Sequence, residues 1–267
     1  MNEKAGVISL FSLPKLSYRV WLVWRRNFDV FMKTYLVNFI PPLVEPLFYL
    51  VGLGYGLGGF VRPQEGLRYI AFIAPALIAV SMMYSSFFEC TYASFVRMYY
   101  QKTFDAIIAT PVNVEEVIAG EILWGATKSF INSSIVLVVV LIFGLIASPL
   151  FLLIPPLSFL IGLLFASIAM CFTAITPNID SFNYPSFLYI TPMFILSGTF
   201  FTITGLPEAI QIFAKIFFPL THAVALSRAL ALGRINPSLL LNLGWILITA
   251  PIFFITAINL MKRRLIK

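Results

Sequence analysis

Four ionisable side chains, Glu45, Glu89, Glu121 and Lys128, sit inside or at the edge of long apolar runs. A charge at the centre of a membrane span costs at least ~2.5 kcal/mol unless it pairs or reaches the interface. Glu121 and Lys128 are seven residues apart, so a helix would present both on one face. Two chemistries suit such a set: inter-helix ion pairs, such as Lys128 with Glu89 or Glu45, or the polar lining of a pathway. A plainer reading leaves Glu89 and Glu121 solvated at the inner membrane interface. Bond-making catalysis is poorly supplied. His222 is the only histidine, there is no His-Glu-x-x-His pair, and the two cysteines lack ligand spacing. Lys33-Thr34, Lys102-Thr103 and Lys128-Ser129 all lack the preceding glycines that cradle phosphate. No catalytic set, metal site or P-loop ATPase is expected in this chain.

The elements that must hold these residues are set by hydropathy. Of 267 residues, 60% are hydrophobic and 11% charged, against ~25% charged in soluble domains. Helical spans of ~20 apolar residues are predicted at about 34–56, 69–93, 117–146, 150–175, 185–203 and 238–261. The expected fold is therefore all-α and polytopic, with six transmembrane helices in one domain covering 1–267. Within it, 1–33 form an N-terminal cytoplasmic and interface segment, 34–261 the six-span core, and 262–267 a cytoplasmic tail. Over 16–32, Trp21, Trp24, Phe28 and Phe31 recur on one side of a helix, with Lys15, Arg19, Arg26 and Lys33 on the other. That pattern suits an amphipathic helix lying in the interface or packed on its own protein. Between spans five and six, Pro207 is expected to begin a short outer helix and Pro219 to end it. Thr221 would cap a second one, which Gly233 would terminate, and both would dip back toward the membrane.

Charge orients the bundle. Twelve Lys and Arg fall on the side of the termini, from Lys4 to Lys33, at Arg97 and Lys102, and from Lys262 to Lys267. Five fall on the other side: Arg62, Arg68, Lys215, Arg228 and Arg234. The positive excess predicts both termini in the cytoplasm. It also assigns the net charge of +7 to membrane lipid head groups, not to nucleic acid.

The segment between spans two and three is the longest polar-punctuated stretch. Thr103 is expected to cap a short helix through Ala109, stopped by Pro111, and Asn113 to cap the next one with Glu116 in a capping box. Phe104, Ile107 and Ile108 would then form an apolar face that calls for a covering partner, or for folding against the protein's own inner surface.

Phe95 to Ile108 and Gly120-Glu121-Ile-Leu-Trp124-Gly-Ala-Thr-Lys128 resemble the type-2 permease subunits of ABC exporters. Leu196-Ser197-Gly198-Thr-Phe-Phe, Gly205-Leu206-Pro207 and Phe218-Pro219-Leu220-Thr221-His222 continue the resemblance, which is strongest to the nodulation protein J branch. The resemblance implies a multi-pass protein of the cytoplasmic (inner) membrane, paired with a second permease subunit as a homodimer or heterodimer. It implies a separate ABC ATPase subunit that binds ATP and Mg, with no cofactor in this chain. Lys102, Thr103, Phe104, Asp105, Ile107, Ile108, Thr110 and Pro111 would couple to that ATPase, and Pro207, Pro219 and His222 would belong to an outer gate. The cargo would be lipid-linked, glycan or amphipathic. The alternative is a self-sufficient channel or ion-coupled secondary transporter using Glu45 and Lys128. Gly162 and Ala166, four apart, would permit close helix contact.

Cysteines introduced at Lys102, Asp180 and Lys267 should react with thiol reagents from the cytoplasmic side only, and those at Gln64 and Glu208 from outside. Outside labelling at Lys267 or Lys102 would reverse the topology.

Overall fold

A computed structural model of the chain describes residues 12–266; Lys4 and Lys267, counted above, lie outside the described residues. Helix α1 (Arg19–Lys33) breaks at Thr34 and is followed by α2 (Tyr35–Tyr49). Pro41, Pro42 and Pro46 lie inside α2, each withholding one backbone N–H, and the helix widens into a π stretch over Leu50–Leu57. Transmembrane helices tolerate such prolines because local π adjustments re-satisfy the freed groups.

Helix α3 (Tyr69–Phe88) does not stop where the apolar run fades. It continues through π turns Glu89–Ala93 and Val96–Tyr100. The whole run of 32 residues is ~48 Å long at ~1.5 Å per residue, so it outreaches a hydrocarbon layer of ~30 Å. The chain then turns at Lys102, with φ +54, into the short α4 (Thr103–Ile108). Thr103 is thus the first helical residue and makes no cap; Lys102 occupies the cap position instead. Asn113 and Glu116 form the expected capping box at the start of α5 (Val114–Ile142).

A 3-10 turn, Pro149–Leu153, leads into α6 (Ile154–Ile175). The fifth span departs from expectation. After a 3-10 turn at Ile179–Phe182, helix α7 (Asn183–Pro185), a π turn (Ser186–Ile190) and α8 (Thr191–Leu196) run on. They stop at Leu196, seven residues early, because the chain reverses through Gly198 at φ +80. At ~1.5 Å per residue, 183–196 spans only ~21 Å. Helices α9 (Glu208–Phe217) and α10 (Pro219–Leu232) meet at 90°, and α11 (Ser238–Leu265) closes the described chain. Pro219 sits at the first position of α10 with extended Phe218 before it, so Thr221 is not a cap. Gly233, at φ +72, ends α10 as expected.

The fold is all-α among the described residues, with five helices long and apolar enough to cross a membrane and a sixth if the bent α9–α10 pair counts as one. At one end of the bundle, Lys262 Nζ meets Glu115 Oε1 at 2.5 Å, Ser12 bonds Asn259, and Arg264 bonds the carbonyls of Thr173 and Thr176. Both described ends of the chain therefore share a face with α4 and the 176–182 loop. At the other end, Arg234 bonds the Glu65 carbonyl and Ala147 N–H donates to Ala231.

Helix α5 runs through the centre, with α3 and α6 against it, α1 on its flank, α11 on α6 and α10 on α3. The small residues lie at these contacts. A Cβ on Gly162 would come 2.4 Å from Ser129 Cβ, and one on Gly125 would meet Cys90 Sγ at 2.6 Å and Ala166 Cβ at 3.0 Å. Gly162 and Ala166 thus bring α6 onto α5 of the same chain. By contrast, only 11% of the most apolar window of α2 and of α11 is buried, which makes those two helices the outer walls. Gly162→Ala should destabilise the bundle by ~1–3 kcal/mol, as overpacked cores do, read as a lower unfolding temperature in mild detergent; an unchanged midpoint would mean that α5 and α6 can part freely.

Candidate functional site

The ion pairs gather at the end of the bundle that carries α4. Arg97, on the extension of α3, places Nη1 2.7 Å from Glu89 Oε1 and Nη2 2.6 Å from Glu121 Oε2. Lys128 Nζ lies 2.7 Å from Glu89 Oε2. The order is Lys128–Glu89–Arg97–Glu121, alternating in sign and neutral as a whole. Both carboxylates are buried, with side chains 3% and 1% exposed. Neither is solvated at the interface, so that reading is corrected.

Their remaining lone pairs are filled, as buried carboxylates require. Trp124 Nε1 donates to Glu89 Oε1 at 3.1 Å. Ser94 Oγ donates to Glu121 Oε2 at 2.8 Å, and Asn27 Nδ2 to Glu121 Oε1 at 2.7 Å. Asn27 comes from α1, whose buried face of Val20, Val23, Asn27 and Phe31 lies on α5, where Phe31 meets the Trp124 ring edge-on at 5.5 Å. Three helices are therefore joined through two carboxylates. Burial lowers the neighbouring Arg26 guanidinium from its ordinary value, with the Glu121 charge opposing.

Glu45 takes no part. Among the described residues it forms no ion pair, so the alternative Lys128–Glu45 bridge is not made. It faces a cavity of about 860 Å³ between α2, α3 and α5, whose wall includes Lys128, Asn132, Tyr49, Tyr84 and Trp124. Sequence reasoning passed over Arg97 as a loop charge because hydropathy falls near Ala93, whereas the helix hydrogen bonding continues to Tyr100. The available signal was its place two turns beyond Glu89. Π turns often mark functional positions, and two of them carry Glu89 and Arg97 of this set.

The short helix α4 is seated on the same scaffold. Phe104 is fully buried, and Ile107 and Ile108 are half-buried in the core. The expected apolar docking face is thus turned inward. Exposed instead are Lys102, Asp105, Thr110 and Pro111, with Tyr99 and Tyr100 beside them; Thr103 is half-buried. Lys102 and Asp105 are 4.0 Å apart in water and contribute little. The N-terminal segment straps the loop after α4: Arg19 donates to the Pro111 carbonyl, Asn113 Nδ2 to the Lys15 carbonyl at 3.2 Å, and Ser17 Oγ to Glu116. At the far end, His222 stacks on Trp245 at 4.4 Å, with its ring nitrogens 2.7 Å from Asn242 Oδ1 and 2.9 Å from the Lys215 carbonyl. Pro207 and Pro219 start α9 and α10 on that side.

Long apolar helices around a buried ion chain, with one short helix that presents a polar outer face, define a multi-pass membrane protein. The ABC-2 type transporter family model matches residues 18–232, and the chain belongs to that family. Nodulation protein J of Rhizobium meliloti (strain 1021) is 37% identical over 254 residues, covering 95% of this chain and 97% of the relative. Nodulation protein J of Bradyrhizobium diazoefficiens is 35% identical over 255 residues, covering 96% and 97%. The inner membrane transport permease YadH of Escherichia coli (strain K12) is 21% identical over 241 residues, covering 90% and 93%. The chain is a membrane permease of the ABC transporter class, a transport subunit whose family implies an ATPase partner.

Removing one member of a buried pair strands the other and costs ~3–5 kcal/mol. Arg97→Met should be the most damaging single change, because it strands two carboxylates, and Lys128→Met should be milder. Glu89→Gln combined with Lys128→Met should recover part of the Glu89→Gln loss. A double-mutant cycle on unfolding midpoints that gives no coupling between 89 and 128, with altered export in Lys128→Met, would assign Lys128 to the cargo path instead.

Proposed function

We propose that the chain is the membrane half of an ATP-driven exporter, a single permease domain that pairs with a second permease subunit, a homodimer being the expected form. ATP and Mg bind the partner ATPase, and both termini and α4 face the cytoplasm. One observation carries the reading: a six-residue helix outside the apolar bundle is anchored by a fully buried Phe104 and presents a polar outer face. A lever must be stiff toward the bundle and accessible toward the motor. The buried phenylalanine, the capping box and the N-terminal strap supply the stiffness; Lys102, Asp105, Thr110 and Pro111 supply the accessible face.

Closure of the ATPase dimer would push on α4. The push passes to the extension of α3, where Arg97 ties Glu89 and Glu121, so α3 and α5 move as one body. The cavity between them and α2 lies on the moving boundary. Its mixed lining of Tyr49, Tyr84, Asn132 and Glu45 suits an amphipathic cargo, lipid-linked or glycan-bearing. Helices α9 and α10, with Pro207 and Pro219 at their starts, act as the outer gate, and His222 pins that gate to α11. A self-sufficient channel or ion-coupled carrier is the weaker reading, since Lys128 is already neutralised by Glu89 and family membership favours an ATP-driven partner.

Reversing the outer charges with Lys102→Glu and Asp105→Lys should reduce co-purification of the ATPase while leaving the unfolding midpoint of the permease unchanged. Phe104→Ala should do the opposite first, destabilising the permease itself by ~3–5 kcal/mol as a buried Phe→Ala change does. Transport that proceeds without nucleotide, or an ATPase complex indifferent to the charge reversal, would overturn the assignment.

A further inference from the structure

A second cavity, of about 1060 Å³, lies at the end opposite α4, between α10, α11 and the turn after α8. Its wall carries three cations, Lys215, Arg228 and Arg234, against one carboxylate, Glu65, with His222 between them. Arg228 is the unusual member. Its guanidinium lies over the Phe72 ring at 3.8 Å, and Nη2 donates to the carbonyls of Phe72 at 3.3 Å and Gly198 at 2.9 Å. Nε also points at the Phe72 carbonyl, at 3.4 Å. No carboxylate among the described residues lies within ion-pair reach of it, and no hydrogen bond engages Nη1. Carbonyl dipoles, a ring face and the Glu65 charge beyond ion-pair reach compensate this buried guanidinium only in part.

Two further donors border the same space. Ser197 and Thr221 are 2% and 8% exposed, line the cavity, and have hydroxyls without any hydrogen-bond partner. Ser197 adjoins Gly198, whose carbonyl Arg228 already holds. Thr221 and Arg228 are seven residues apart on α10 and so share a face. A buried donor left unsatisfied is unfavourable by itself, and here a guanidinium edge and two hydroxyls are left open in one net-positive cavity. Planar donor forks with neighbouring hydroxyls are the recognition chemistry of phosphoryl and carboxylate groups.

We propose that this cavity binds an oxyanion of the phosphoryl type, held by the free edge of Arg228 with the Ser197 and Thr221 hydroxyls. Lys215 and Arg234 add attraction at the rim. Glu65 at the lip opposes entry and so limits affinity. The site depends on the exporter reading only for the side of the membrane it faces, not for its chemistry. The phosphoryl group can come from the head group of an anionic lipid or from free phosphate.

The test uses the full-length chain without its ATPase, so that failure of the transport reading leaves the result intact. Phosphatidylglycerol retained after purification is counted by native mass spectrometry, and inorganic phosphate binding is measured by calorimetry in phosphatidylcholine nanodiscs. Arg228→Gln, and separately Ser197→Ala with Thr221→Val, should each reduce occupancy about tenfold, the loss expected when one or two charge-assisted bonds go. Arg228→Lys should keep part of it, and Glu65→Gln should raise it. Retained phosphatidylglycerol that follows this order identifies a lipid site; phosphate binding that follows it without lipid retention identifies a free-anion site. Should Arg228→Gln fail to fold, the hydroxyl pair and Glu65→Gln decide. Equal occupancy across wild type and these variants, or no binding of either probe, overturns the proposal.

Discussion

In a protein interior that excludes water, a charge needs its counter-charge from another part of the same protein, and Arg97 is where this chain meets that demand. Its guanidinium lies within 2.7 Å of Glu89 and 2.6 Å of Glu121, acids that belong to different helices. Neither carboxylate can leave without stranding a positive charge, so α3 and α5 are held in register at their common end. The contacts of Trp124, Ser94 and Asn27 then complete the lone pairs and bring α1 into the same unit. Packing follows from this register: once α5 is fixed, Gly125 and Gly162 let α3 and α6 approach it at contact distance.

Anchoring contacts are concentrated around α4. Helix α4 is too short to be stable alone, yet Phe104 is fully buried beneath it and the Asn113–Glu116 capping box starts the next helix at once. The N-terminal segment and the end of α11 both converge on Glu115 and Glu116, through Lys15, Ser17 and Lys262. The opposite end is looser in another sense. Its helices α9 and α10 meet at a right angle, and Arg228 there is held by carbonyls and a ring, with the Glu65 charge acting only from beyond ion-pair reach. One end of the molecule is thus electrostatically closed, and the other retains open donors.

The sequence by itself determined the class of fold. Apolar runs long enough to span hydrocarbon admit only helices here, because lipid offers no partner for backbone groups. The local capping signals at Asn113–Glu116 and Gly233 were legible for the same reason, since each depends on a few neighbouring residues. So was the family, through short segments each of which is continuous in the chain. The nearness of Lys128 to Glu89 could be narrowed from sequence because only a few acids lie on the adjoining span.

What the tertiary structure decided is everything that needs a third element. Arg97 reads as a loop charge until α3 is seen to continue through two π turns beyond the fading of its hydropathy. Phe104 reads as an exposed anchor until α4 folds back onto the core, because amphipathicity gives the apolar face of a helix but not which body covers it. The fifth span ends early at Leu196 because a left-handed turn at Gly198 overrides an apolar run, and composition is blind to φ. The unpaired guanidinium of Arg228 could not be inferred at all: whether a buried charge finds an acid depends on distances between helices, and those are set only when the bundle closes.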